Sequence, residues 1–182
     1  IVYNNRTPKA AFDKAMRVAL SLLNGYVYTL DNSTLAERLV ALLKLRKIKL
    51  SVAESFTGGG ISKRLVEVPG VSEVYFEGLN TYANEAKISR LGVSEQILSK
   101  YGAVSEQVAA QMAEGLLATE NCTLAISTTG IAGPKSDGTK KPVGLAYIGV
   151  ATPAETEVFE FKLKGSRECI TQTAINLALF AA

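Results

Sequence analysis

A chain of 182 residues, 47% hydrophobic and 20% charged, is long enough to bury one substantial core and too apolar to stay disordered. Its net charge of +3, from 20 Lys and Arg against 17 Asp and Glu, is too small to mark a nucleic-acid binder by composition. Histidine is absent, which excludes Ser-His-Asp and Cys-His nucleophile systems and the common histidine metal sites within this chain.

The chain opens on Ile1 rather than Met, as a piece of a longer polypeptide would. Residues 8–24, with Pro8 near the start and Phe12, Ala15, Met16, Ala19 and Leu22 at helical spacing, predict an amphipathic helix. Gly25 ends it, and "YVYTL" (26–30) predicts a short strand. Residues 1–32 are too few to carry a core, and we expect them to be the tail of a preceding linker domain or an appendage, with the main domain over 33–182. Thr34 and Glu37 have capping-box spacing before a helix that runs to about Lys47. The basic cluster Lys44–Lys49, like Lys140 and Lys141, suits a solvated helix end better than a nucleic-acid groove.

"KLSVA" (49–53) predicts a buried strand that runs into "ESFTGGG", and "GGISKRLVEV" a helix stopped by Pro69 and Gly70. "SEVYFEGLNTYA" predicts a strand ending near Tyr82 and Ala83. The helices "NEAKISRLG" and "SEQILSKYG" each close on glycine, and a third starts at Ser105. "TLAIST" (123–128) predicts a second buried strand, running into "TTGIAGP". "PVGLAYIGVAT" and "ETEVFEFKLK" predict a β-hairpin, and residues 166–182 a closing helix with Cys169, Ile170, Thr173, Ala174 and Leu177 inward. Strands alternating with helices predict an α/β fold, a three-layer α/β/α sandwich whose sheet is mixed because of the C-terminal hairpin. Cys122 and Cys169 lie far apart in apolar surroundings, so both are expected as packed, reduced thiols. No apolar run reaches the length of a membrane span and no signal peptide opens the chain. A cytoplasmic location is therefore expected.

Two turns share one form: an apolar strand, then hydroxyl residues, then glycines. In α/β sheets ligands sit outside the carboxyl ends of strands, where glycines let backbone N–H groups approach an anion. Neither turn is a Walker A or a GxGxxG fingerprint. The pattern is open to a phosphate loop, to tight turns that need glycine for their dihedrals alone, and to a nucleophile, Ser55, presented at a strand end. A nucleophile here needs a base other than histidine, and Lys87, past a strand end and flanked by Ala86 and Ile88, is the best candidate. Glu54, Glu85 and Asp137 could hold a divalent cation but fit ordinary polar loops better. Arg167, near Gly165 and Ser166, could pair with a phosphate or simply sit on the surface.

Six ordered blocks, "AESFTGG" (53–59), "YANEAKISRLGV" (82–93), "GAVSEQVAAQMAEG" (102–115), "TGIAGP" (129–134), "KPVGLAYIGVA" (141–151) and "GSRE" (165–168), resemble the CinA C-terminal domain family over about residues 33–182. The resemblance implies an amidohydrolase without metal or cofactor. Such an enzyme converts nicotinamide mononucleotide (NMN) to nicotinate mononucleotide and ammonia in pyridine-nucleotide salvage. It implies Ser55 as nucleophile and Lys87 as general base, with Tyr82, Thr129 and Gly130 lining the site. Thr57, Gly58 and Gly59 would supply donors, and Arg167 would meet the phosphate. It also implies a molybdopterin-binding-like domain preceding this one. We expect a homo-oligomer, a dimer, and no nucleic-acid or membrane partner. The competing expectation is a non-catalytic nucleotide-binding or oligomerisation module. Two positions depart from the family pattern: Phe56 stands where many relatives have Cys, and Thr128 where an aliphatic residue is usual.

Overall fold

The computed structural model describes residues 6–182 apart from Asn24, Tyr26 and Asp137. The chain divides into two units at Thr34 and Leu35. In the first, helix α1 spans Lys9–Leu22 and has no fully buried residue; Phe12, Met16 and Ala19 of its apolar stripe are half-buried. The strand expected over 26–30 does not form: Val27, Tyr28 and Thr29 belong to no ladder, and Leu30 stays 68% exposed; Tyr26 lies outside the described residues. A β-branched run becomes a strand only against a partner that takes its backbone groups. This segment instead turns on the Thr29 hydroxyl, which donates to the Asp31 carboxylate at 2.7 Å.

The second unit is a three-layer α/β/α sandwich. Its elements are α2 (Leu35–Arg46), β1 (Leu50–Glu54), α3 (Gly60–Val66), β2 (Tyr75–Asn80), α4 (Asn84–Leu91), α5 (Glu95–Tyr101), α6 (Glu106–Leu117), β3 (Leu124–Gly130), β4 (Leu145–Ala151), β5 (Thr156–Lys162) and α7 (Arg167–Ala181). A single 3-10 turn, Val71–Glu73, occupies part of the segment expected to open β2. The sheet runs β2-β1-β3-β4-β5. Strand β1 is parallel to both its neighbours, whereas β3–β4 and β4–β5 are antiparallel. The C-terminal hairpin therefore mixes the sheet as the turn between two alternating runs predicts.

Residue alternation sorts each strand between two cores. Leu50 and Val52 of β1 and Leu124 and Ile126 of β3 bury against α2, α3 and α7. Ala53, Ala125 and Ala151 face α4, α5 and α6, where Leu91, Leu98, Val108, Met112 and Leu116 pack. The second face is built from small residues because α6 lies very close to the sheet. A Cβ on Gly149 would come within 2.8 Å of the Ala109 carbonyl oxygen, and the Ser127 hydroxyl donates to that carbonyl at 2.6 Å. Helix α6 is capped by Ser105, whose Oγ accepts from the Val108 amide at 3.3 Å.

Two expectations about single residues need correction. Cys122 is buried but Cys169 is exposed. The inward stripe of α7 is Ile170, Ala174, Ile175, Ala178 and Leu179, which turns position 169 outward and leaves Thr173 and Leu177 only half-buried. The basic residues of Lys44–Lys49 are solvated, with Arg46 and Lys47 exposed, while Lys44 pairs with Glu73 at 2.8 Å, Lys49 donates to the Glu73 carbonyl at 2.7 Å and Lys141 to the Val104 carbonyl at 2.6 Å. No helix among the described residues is long and apolar enough to cross a membrane.

Candidate active site

The carboxyl ends of the three parallel strands β1, β2 and β3 converge, the position where open α/β sheets hold ligands. Backbone pairing continues past the strand limits there. The Ser55 amide donates to the Thr128 carbonyl at 3.1 Å and the Thr81 amide to the Glu54 carbonyl at 2.8 Å. Ser55, following Ser51 and Ala53 by alternation, comes out on the α4 side, while Glu54 points to α3.

Lys87 lies in the first turns of α4 and is 1% exposed. Its Nζ is 3.2 Å from Ser55 Oγ, and it donates to the carbonyls of Thr81 at 2.7 Å and Tyr82 at 3.0 Å. Burial, with no carboxylate to offset it, pushes the ammonium down from its ordinary value to about 8. A neutral amine keeps two N–H groups and one lone pair. With both N–H groups committed to carbonyls, the lone pair faces the Ser55 hydroxyl, so the geometry can take that proton.

The glycine turn serves its own backbone first. Gly58 and Gly59 have φ of 63° and 92°, which other residues adopt only with strain. The Gly58 amide donates to the Ser55 carbonyl at 3.1 Å. The Glu54 carboxylate, 1% exposed, sits on the amino end of α3. It accepts from the amides of Gly59 (3.0 Å), Ile61 (3.1 Å) and Ser62 (2.9 Å) and from the Ser62 hydroxyl (2.7 Å). Glu54 is thus a capping group, not a metal ligand. Glu85 is an exposed first-turn residue of α4, and Asp137 lies outside the described residues. Among the described residues no three acids or cysteines gather as a metal site. The amides of Phe56 and Thr57, which follow Ser55 in the chain, have no acceptor among the described residues and so have donor capacity left for a developing oxyanion.

The Thr57 and Thr128 hydroxyls bond each other at 2.8 Å, so the unusual threonine at 128 ties the two turns together. The Thr129 hydroxyl is directed away, donating to the Ala103 carbonyl at 2.7 Å. Beside the dyad opens a cavity of about 170 Å³ lined by Phe56, Tyr82, Gly130, Ala132, Lys135 and Arg167, among others. Ser55 and Lys87 are not among the residues that line it, whereas their chain neighbours Phe56 and Tyr82 are. Phe56 forms the inner wall, packed with Ala132, Ala146, Ile170 and Ala174. A Cβ on Gly130 would stand 2.9 Å from its ring, so the larger residue at 56 depends on glycine at 130. Arg167 Nη1 donates to the Gly133 carbonyl at 2.8 Å. Of the residues expected at the site, Ser55 and Lys87 come together, Tyr82, Gly130 and Arg167 line the cavity, and Thr57, Gly58, Gly59 and Thr129 direct their described bonds into the fold. Lys135 and the cap by Glu54 were not foreseen. An acid between a buried strand and a glycine-led helix was the available signal for the cap, whereas nothing local singles out Lys135. A larger groove, of about 560 Å³, lies at the opposite strand ends around Cys122 and Pro153 and lacks a buried base.

Residues 32–181 match the model of the CinA C-terminal domain. A relative from Caldicellulosiruptor saccharolyticus, named for competence-damage induction, is 51% identical over 159 residues, covering 87% of this chain and 39% of the relative. A CinA-like protein from Kosmotoga olearia is 43% identical over 157 residues, 86% of this chain and 38% of its own length. The chain therefore spans about two-fifths of the curated relatives it matches. Among solved structures, the competence/damage inducible protein CihA from Agrobacterium tumefaciens superposes with a TM-score of 0.77 at 37% identity, covering 80% of this chain and 89% of that one. A CinA superfamily protein from Klebsiella pneumoniae gives 0.78 at 28% identity, with 81% and 92% covered. By sequence and by fold, the chain belongs to the CinA C-terminal domain family.

Proposed function

We propose that this domain is an amidohydrolase that converts the carboxamide of NMN to the carboxylate, releasing ammonia, with Ser55 as nucleophile and Lys87 as base. The observation that carries the reading is the buried Lys87 Nζ, 3.2 Å from Ser55 Oγ and held by two backbone carbonyls. Lys87 takes the Ser55 proton as Oγ bonds to the carboxamide carbon, and the oxygen becomes an oxyanion beside the Phe56 and Thr57 amides. Collapse breaks the C–N bond, and the Lys87 ammonium returns its proton to the leaving nitrogen, giving ammonia and an acyl-enzyme. Water then attacks, Lys87 again accepting and returning a proton, and nicotinate mononucleotide leaves with Ser55 restored. Tyr82, 62% exposed at the cavity mouth, offers an aromatic face to the pyridine ring.

The test is ammonia release from NMN by the wild-type chain, Ser55→Ala and Lys87→Ala. Each substitution is expected to lower kcat by about 10³-fold or more. Binding of NMN without ammonia release by wild type would overturn the amidase reading, and equal release by all three proteins would overturn the dyad.

A further inference from the structure

We propose that Thr128 is a positioning residue for this reaction: its hydroxyl holds the Thr57 side chain, and through it the turn that offers donors to the oxyanion. The proposal rests on the amidase reading of Ser55 and Lys87. The Gly58 amide closes the turn on the Ser55 carbonyl at 3.1 Å, and the Gly60 amide bonds the Thr57 carbonyl at 3.1 Å. Those bonds fold the turn on itself without fixing it to the sheet. Glu54 holds the stretch that follows, from Gly59 on. Strand β3 anchors the turn itself, and one residue does so twice. The Thr128 carbonyl accepts from the Ser55 amide at 3.1 Å, and the Thr128 hydroxyl meets that of Thr57 at 2.8 Å. Together the two contacts fix the turn on either side of Phe56.

Two hydroxyls carry two O–H groups and share one bond, and neither side chain has a further partner among the described residues. Thr128 is wholly enclosed, whereas Thr57 is 6% exposed. A buried donor without an acceptor destabilises the fold, so Thr128 is the residue that gives its proton to the bond. Thr57 Oγ1 then accepts, and its own O–H is left for an acceptor that arrives with the substrate. An oxyanion is such an acceptor, and a donor held in place before the charge forms needs no reorganisation when it does. Valine at 128 would keep the branched shape and the carbonyl and remove only the hydroxyl.

Two measurements test this. The first follows ammonia release from NMN by wild type, Thr128→Val, Thr128→Ser, Thr57→Val and the variant carrying both valine substitutions. Thr128→Val is expected to lower kcat at least about tenfold with KM within about twofold, and Thr128→Ser to recover most of the loss. The double variant is expected to be no slower than Thr57→Val, because Thr128 acts through Thr57. The pH at which the rate levels off is expected to stay in place, since Lys87 is untouched. Wild-type kcat in Thr128→Val, losses that multiply in the double variant, or a moved pH midpoint overturns the proposal. The second is amide hydrogen exchange at Gly58 and Gly60, which needs no turnover. Exchange at both is expected to quicken at least about tenfold in Thr128→Val and to return with Thr128→Ser, while amides of β4 keep their wild-type rates. Unchanged exchange at the two glycines, or an equal rise in β4, overturns the hold of Thr128 on the turn. If wild type hydrolyses no NMN while exchange behaves as described, the amidase reading falls and that hold stands.

Discussion

Lys87 sets the pH window of the dyad. Its ammonium is held at about 8 by burial, and only the neutral amine can accept the Ser55 proton. The rate is expected to rise with pH and level off above about 8, and a flat profile between pH 6 and 9 would remove Lys87 as the titrating base. The same group shapes stability with a definite sign. Between about 8 and the ordinary lysine value near 10.4, the unfolded chain keeps the proton and the folded chain does not. Stability contributed by this residue therefore rises with pH across that window. The difference in Tm between wild type and Lys87→Met is expected to shift in favour of wild type from pH 8 to 10. The sequence made this residue visible only by elimination, since a chain without histidine leaves lysine as the base. That Lys87 is buried and aimed by two carbonyls depends on the fold of the Thr81–Ala83 turn, which no local pattern encodes. The pairing of Thr57 with Thr128 across 71 residues was equally illegible, because it needs β1 and β3 to be neighbours.

The elements were the more legible level, and their misses have physical causes. Helix ends marked by glycine, as at Gly92 and Gly102, and by Ser105 stand where the sequence places them. The "YVYTL" segment failed because propensity cannot supply a partner strand, and the α7 stripe was misphased because its apolar residues are spread round the helix. Helix α2 ends without such a glycine. Lys47 takes φ of 54°, and beyond it the Ile48 amide returns to the Leu43 carbonyl at 2.9 Å. A side chain in that left-handed position costs about 1 kcal/mol. Lys47 is exposed, so Lys47→Gly is expected to raise unfolding stability by about 0.5–1 kcal/mol in urea titration without touching the site. A loss would mean that the lysine side chain holds the turn.

At the scale of the molecule, every buried cluster described draws on residues 35–182, whereas no residue of α1 is fully buried. A chain of residues 35–182 is therefore expected to fold cooperatively, with Tm within about 4 °C of the longer one, a span worth roughly 1 kcal/mol at this size. A larger fall in calorimetry would show that the first unit supports the core. The three-layer architecture was legible because strand and helix periods alternate cleanly. Strand order β2-β1-β3 was not, since parallel neighbours are joined by crossovers whose length reveals no adjacency.

The division of labour between Glu54 and Ser55 has a consequence for how β1 can change. Adjacent residues serve opposite faces, the carboxylate holding α3 and the hydroxyl meeting Lys87. Insertion or loss of one residue within Leu50–Glu54 would exchange those faces, setting a charge against Lys87 and a hydroxyl beneath α3. A change of two preserves the faces while moving the reach along the sheet by about 6–7 Å. Single-residue gaps are thus closed to this strand, and its length is held by parity as well as by packing.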